Sequence, residues 1–139
     1  MTDLLLQDLT DRQAITDLVS RLGLWLDEKR FYDTESLFTE DVTVATPGGQ
    51  AQGVGLVAAQ ARRNHDYERI QHVITNVLID LDGDRANVRA NLIATLVPSA
   101  AEPAAHATLG ERYRFEAVRS DAGWRLARVE VEPVWRTAR

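Results

Sequence analysis

IQHVITNVLIDLDGDRANVRANLIATLV, residues 70–97, is where apolar residues begin to recur at every second position. The interruption Asp82-Gly83-Asp84 between the two alternating runs predicts a hairpin joining strands 70–81 and 85–97. In the second run Ala86, Val88, Ala90, Leu92, Ala94 and Leu96 form one side, and Asn87, Arg89, Asn91, Ile93 and Thr95 the other. An alternation this regular implies one buried face and one wetter face. Downstream, residues 98–105 (PSAAEPAA) read as a loop. Residues 106–119 and 124–133 then read as a second hairpin across 120–123. The tail WRTAR either covers a sheet edge or frays.

Upstream the period is that of a helix. Thr10-Asp11-Arg12-Gln13 fits a capping box. Ile15, Leu18, Val19, Leu22, Trp25 and Leu26 follow at three- and four-residue spacing, one face of a helix. Asp27, where that helix ends, lies about 140° from the centre of this stripe, at 100° per residue. Residues 29–33 read as a connection, 34–38 as a short helix carrying Leu37 and Phe38 inward, and 42–46 as a strand stopped by Pro47-Gly48-Gly49. Gly53-Val54-Gly55-Leu56-Val57-Ala58 matches the dinucleotide pattern GxGxxA, but no strand ends at Gly53 and no parallel βαβ unit follows. It reads instead as a turn into a helix over 54–67, with Leu56, Val57, Ala59 and Ala61 packing. Helices first and long antiparallel strands after give an α+β layout, with the helices on one sheet face.

The totals fit one soluble domain spanning residues 1–139, at 45% hydrophobic and 27% charged residues. With no cysteine there is no disulfide framework or thiolate site. The chain carries 16 Lys and Arg against 21 Asp and Glu, a net charge of −5 with no basic run. Nucleic acid is therefore not an expected partner. The short apolar run Leu4–Leu6 is neither a signal peptide nor a membrane span, and a cytoplasmic location is expected. No His/Asp/Glu cluster has metal-ligand spacing, and no phosphate-binding loop or GxSxG elbow is present. No cofactor or metal is expected.

The segments DRQAITDLVSRL…WLD, SLFTEDV, GVGLV, QHVITN and GERYRFEAVRSDAGWRLAR follow one another between Asp8 and Val131. In this order and spacing they resemble the SnoaL-like family of the NTF2-like superfamily. The resemblance implies a cone-shaped α+β barrel: N-terminal helices packed on a curved, mostly antiparallel sheet, a pocket in the cone, and dimers through the outer sheet face. Scytalone dehydratase, bile-acid 7α-dehydratase and hexachlorocyclohexane dehydrochlorinase in this superfamily pair an Asp at the end of the first helix with a His on the first long strand. The pair carries onto Asp27 and His72. The additional groups do not carry over. An upstream lysine or tyrosine falls near Leu22, and a second His or Asp on the next strand falls near Ala94–Val97. The arginine after the last tryptophan falls on Val129, next to Arg128.

The chemistry of the pair is clear. A carboxylate accepting from one imidazole nitrogen fixes the tautomer and leaves the other nitrogen as a base. The expected function is acid/base dehydration or elimination, or else isomerisation or cyclisation, of a hydrophobic small molecule without a cofactor. The alternative is a non-catalytic scaffold or ligand-binding protein, as the small subunits of ring-hydroxylating dioxygenases are. Four further residues are candidate substrate contacts: Asn76, which shares the His72 strand face by alternation, Tyr113, Trp25 and Arg128, the last paired with Glu130. His65, in ARRNHDYER, reads as a solvated helix end, and His106 as a surface residue near a pocket mouth.

Overall fold

The computed structural model describes residues 2–137. The elements run α1 (Thr2–Asp27), β1 (Phe38–Thr46), β2 (Gly49–Gln52), α2 (Val54–Asn64), β3 (Arg69–Asp82), β4 (Arg85–Val97), β5 (Ala107–Ser120) and β6 (Gly123–Arg136). The strands form one six-stranded sheet in the order β2-β1-β6-β5-β4-β3. Only β1 and β6 run parallel; every other pairing is antiparallel. Both helices pack on one face, α1 against β3 and β6 and α2 against β1 and β2. This is an α+β cone whose sheet stays open between β2 and β3. Among the described residues no helix is long and apolar enough to cross a membrane.

Helix α1 starts well before the expected cap at Thr10. Residues 3–9 (DLLLQDL) favour helix, and side-chain pairs Gln7–Asp11 and Arg12–Asp8, both at 2.9 Å, stitch successive turns. The face predicted for burial is buried, from Ile15 to Leu26. The helix stops by a Schellman pattern. Arg30 N–H donates to Trp25 O (2.9 Å) and Lys29 N–H to Leu26 O (3.3 Å), with Lys29 at φ 54°. Phe31 then folds back edge-on against Trp25, ring centroids 5.0 Å apart. This reversal holds Asp27 at a fixed place on the helix end.

The helix expected at 34–38 is a single turn, closed by Phe38 N–H to Thr34 O at 3.0 Å. The chain leaves it directly into β1, because the β-branched run TEDVTVAT suits a strand paired with β6. Edge strand β2 had no sequence signal, since GQAQ contains no β-branched residue. Helix α2 ends at Asn64 rather than at residue 67, and Leu56 is exposed rather than packed. Strand β4 has the bounds read from alternation, β3 is longer by one residue at each end, β5 is displaced by one residue, and β6 starts one residue earlier and runs three further. Thr137 continues the tail by donating to Thr108 O at 2.9 Å; Ala138 and Arg139 lie outside the described residues.

Among the register shifts of the sheet, one on β3 and one on β6 decide where the candidate site residues point. On β3 the pairing passes from Thr75↔Asn91 to Leu78↔Arg89, so two residues oppose one, and Asn76 sits at φ 57°. The inward set changes from Ile70, His72 and Ile74 to Val77, Ile79 and Leu81. On β6 the pairing passes from Leu126↔Ala117 to Arg128↔Glu116, and the inward set changes from Trp124 and Leu126 to Val129 and Val131. Strands β4 and β5 carry no extra residue, and they alternate as read. Bulges of this kind bend a strand and tighten its twist, which curls the sheet round the helices.

Far from the end of α1, Asp11 ties the helix to the sheet. Its buried carboxylate accepts two bonds from Arg119 (2.8 and 2.7 Å) and one from Trp124 Nε1 (3.1 Å). Arg119 also lies over the Trp124 ring at 4.7 Å and reaches Asp84 at 2.8 Å. Sixteen helical residues separate Asp11 from Asp27, about 24 Å of axis. This cluster therefore holds the fold and takes no part in a site at Asp27.

Candidate functional site

A cavity of about 420 Å³ opens between α1, α2 and the concave sheet face. That volume lies in the range that holds a small organic ligand. Its walls are mostly apolar, with Leu22, Trp25 and Leu26 from α1, Phe38 and Val44 from β1, Val57 from α2, and Leu92, Ala94 and Leu96 from β4. Polar groups interrupt them: His72, His65, Gln60, Glu111 and Tyr113, with Thr46, Arg63, Asn64, Tyr67 and Arg136 also in the lining.

His72 and Asp27 meet. His72 Nδ1 lies 2.5 Å from Asp27 Oδ1, and the His72 backbone N–H donates to both carboxylate oxygens at 2.9 and 3.0 Å. A carboxylate at a helix C-terminus faces the unfavourable end of the helix dipole, and three contacts from one residue compensate it. The acceptor is a carboxylate, so the proton of the neutral ring sits on Nδ1 and Nε2 is left bare. The His72 side chain is only 4% exposed.

His65 is not a solvated helix end. It lines the cavity with its ring 5.4 Å from that of His72. Its Nδ1 is 2.8 Å from Ala61 O, a contact that requires the proton on Nδ1. Burial, first of all, lowers its pKa from 6.5. Its position follows from α2 stopping at Asn64, which turns residue 65 back over the sheet. No charge pattern signalled this.

Tyr113 and Trp25 both line the cavity. Burial pushes the Tyr113 phenol up, with the negative charges of Glu111 and Asp27 adding to it, so the hydroxyl stays a donor. Trp25 Nε1 is buried and has no hydrogen-bond partner among the described residues. Glu111, two residues before Tyr113 on the same face, is half-buried; burial raises its pKa, while His72 and Arg136 pull it down. The sequence placed Glu111 beside Tyr113 but gave no reason to single it out.

Asn76 and Arg128 do not reach the cavity. Asn76 is exposed at the β3 bulge, which turns it away from the His72 face. Arg128 is turned outward by the β6 bulge and pairs with Glu130 and, at 3.9 Å, with Glu116 on the outer sheet face. His106 is exposed and bonded at Nδ1 to Pro103 O (2.7 Å). Among the described residues no group of three or more His, Cys, Asp or Glu is placed to hold a metal ion.

Residues 7–130 match the sequence profile of the SnoaL-like domain. The chain belongs to the SnoaL-like family. Solved structures share the SnoaL-like fold at low sequence identity. The Kfla4162 protein of Kribbella flavida is 24% identical with a TM-score of 0.84, covering 93% of this chain and 94% of its own. A candidate scytalone dehydratase of Novosphingobium aromaticivorans is 24% identical with a TM-score of 0.84, covering 99% and 91%. A hexachlorocyclohexane dehydrochlorinase, LinA type 2, is 22% identical with a TM-score of 0.82, covering 95% and 90%. No curated protein matches this SnoaL-like sequence. At these identities the likeness is one of fold.

Proposed function

We propose that this protein catalyses elimination of water from a hydrophobic β-hydroxy carbonyl compound by acid/base chemistry that needs no cofactor. The observation that carries the reading is the His72–Asp27 contact at the wall of an apolar cavity. With Nδ1 tied to the carboxylate, the bare Nε2 takes the proton from the carbon next to the carbonyl, and Asp27 stabilises the imidazolium that results. Negative charge then develops on the carbonyl oxygen. Tyr113, a buried phenol that keeps its proton, and the unpartnered Trp25 N–H are the donors available to it. Leu22, Leu92 and Leu96 exclude water and select an apolar substrate body. Isomerisation of a double bond uses the same abstraction, with the proton returned to another carbon.

The test is enone formation, followed by absorbance, from a panel of phenyl- and alkyl-substituted β-hydroxy ketones, with wild type and His72→Gln side by side. Turnover by wild type and its loss in the folded variant supports the reading. Tight binding of the panel without turnover in either protein would instead favour a ligand-binding module.

A further inference from the structure

Elimination of water needs more than a base. Hydroxide is a poor leaving group, and an apolar cavity makes it poorer, because no solvent is at hand to protonate it. A group that donates a proton to the departing oxygen is therefore required, and the neighbouring strand β4 offers only Leu92, Ala94 and Leu96 to the cavity.

We propose that Glu111 is the second catalytic group of this cavity: its carboxyl protonates the leaving oxygen while His72 removes the proton from the adjacent carbon. The proposal rests on the assignment of His72 as the base. The strand register supplies the geometry. His72 on β3 pairs with Ala94 on β4, Ala94 pairs with Leu109 on β5, and Glu111 lies two residues further on the same inward face, opposite Leu92. The two groups thus stand two strand spacings apart and two residues along, about 12 Å between backbones, with Ala94 and Leu92 of β4 between them. Both side chains line the same cavity. An acid and a base acting on adjacent carbons each need about 3 Å of hydrogen-bond reach to their own atom, with a short piece of substrate between. A separation across one intervening strand suits that, and direct contact would not.

The surroundings shift the carboxyl towards its protonated form. Burial pushes Glu111 above the usual carboxylate range. From β3 His72 opposes this and from β6 Arg136 does so too. Tyr113 on its own strand, Asp27 from the end of α1, His65 beyond α2, Arg63 on α2 and Tyr67 before β3 are the other titratable groups close by. The step balances. The C–H electrons form the C=C bond and the C–O bond breaks. The C–H proton goes to His72 Nε2 and the Glu111 proton to the oxygen, which leaves as water. Transfer of the proton from imidazolium to the Glu111 carboxylate through a water resets the site.

The experiment separates the two half-reactions. The probe is the aldol of benzaldehyde with acetone, whose dehydration gives benzalacetone. Benzylacetone has the same skeleton without a leaving group, and its deuterium uptake from D₂O reports the base alone. Glu111→Gln is expected to retain uptake within about threefold and to lose dehydration by about a hundredfold or more. The acetate ester of the aldol, which leaves without a proton, is expected to restore elimination in the variant. Equal loss of both half-reactions, or no rescue by the ester, would overturn the role of Glu111. If His72→Gln keeps deuterium uptake, the base assignment fails by itself. Independently of turnover, the carboxyl ¹³C resonance of Glu111 must shift when benzalacetone fills the cavity. A Glu111 that titrates as an ordinary exposed glutamate and ignores benzalacetone would also overturn the proposal.

Discussion

Asp27 accepts both the ring Nδ1–H and the backbone N–H of His72, at 2.5 Å and at 2.9–3.0 Å, across 45 positions of sequence. One carboxylate thereby fixes a tautomer, a ring orientation and the junction of α1 with β3. Replacing Asp27 by Asn removes the charge and puts an N–H₂ group where donors converge. We expect elimination activity to fall by about two orders of magnitude or more. Stability should fall by about 1–3 kcal/mol, from the donors left without an acceptor. Urea unfolding gives the second quantity. Imidazole ¹⁵N shifts should show the His72 proton leaving Nδ1; an unchanged tautomer would mean the carboxylate does not set it.

Asp11 makes the opposite prediction. Its bonds from Arg119, Trp124 and Gln7 outweigh burial and lower its pKa from 3.8 to about 2. The unfolded chain therefore takes up the proton first as the pH falls. The stability that Asp11 contributes is full above 3.8 and disappears as the pH drops towards about 2. Asp11→Asn should cost about 2–3 kcal/mol at neutral pH. That range is set below the figure for a fully buried pair because Arg119 is partly solvated. The difference from wild type in urea midpoint should close on acidification, with cavity chemistry unaffected throughout. A difference that persists at the acid end would assign the cost to packing.

Asn76 occupies the left-handed region, at φ 57°, as the extra residue of the β3 bulge. Asn76→Val should destabilise by about 1–2 kcal/mol, the cost of a β-branched residue in that conformation, while Asn76→Gly is tolerated. Neither should change ligand affinity, because the side chain is exposed and turned away from the cavity. Urea titration and binding of benzalacetone to the two variants check both halves.

These bulges also explain what could be read from the sequence. Strand alternation was correct wherever pairing is regular, so the two faces of β4 were legible, while alternation on β5 grouped Glu111, Tyr113 and Phe115 on one face without showing that it points inward. It failed beyond each extra residue. Asn76 was put on the His72 face and Arg128 among the candidate substrate contacts, and both face out, because a single inserted residue inverts a period-two pattern. The end of α1 was legible from its apolar stripe. Its start was not, because residues 3–9 extend the helix on propensity and side-chain pairs without an apolar face that packs. His65 was missed for a third reason: its burial depends on where α2 stops, and helix ends are poorly marked by composition alone. Asp27 and His72 were found together only through the order of elements shared with SnoaL-like proteins, since periodicity alone left Asp27 as a helix-end acid.

The most direct test of the account is deuterium uptake by benzylacetone in D₂O, followed by ¹H NMR, with wild type and His72→Gln at equal concentration. Catalysed exchange at the carbon next to the carbonyl is expected in wild type. A loss of about a hundredfold or more is expected in the variant, with the fold intact by circular dichroism. Exchange that survives in His72→Gln, or that wild type fails to catalyse while benzylacetone occupies the cavity, would contradict a base at His72.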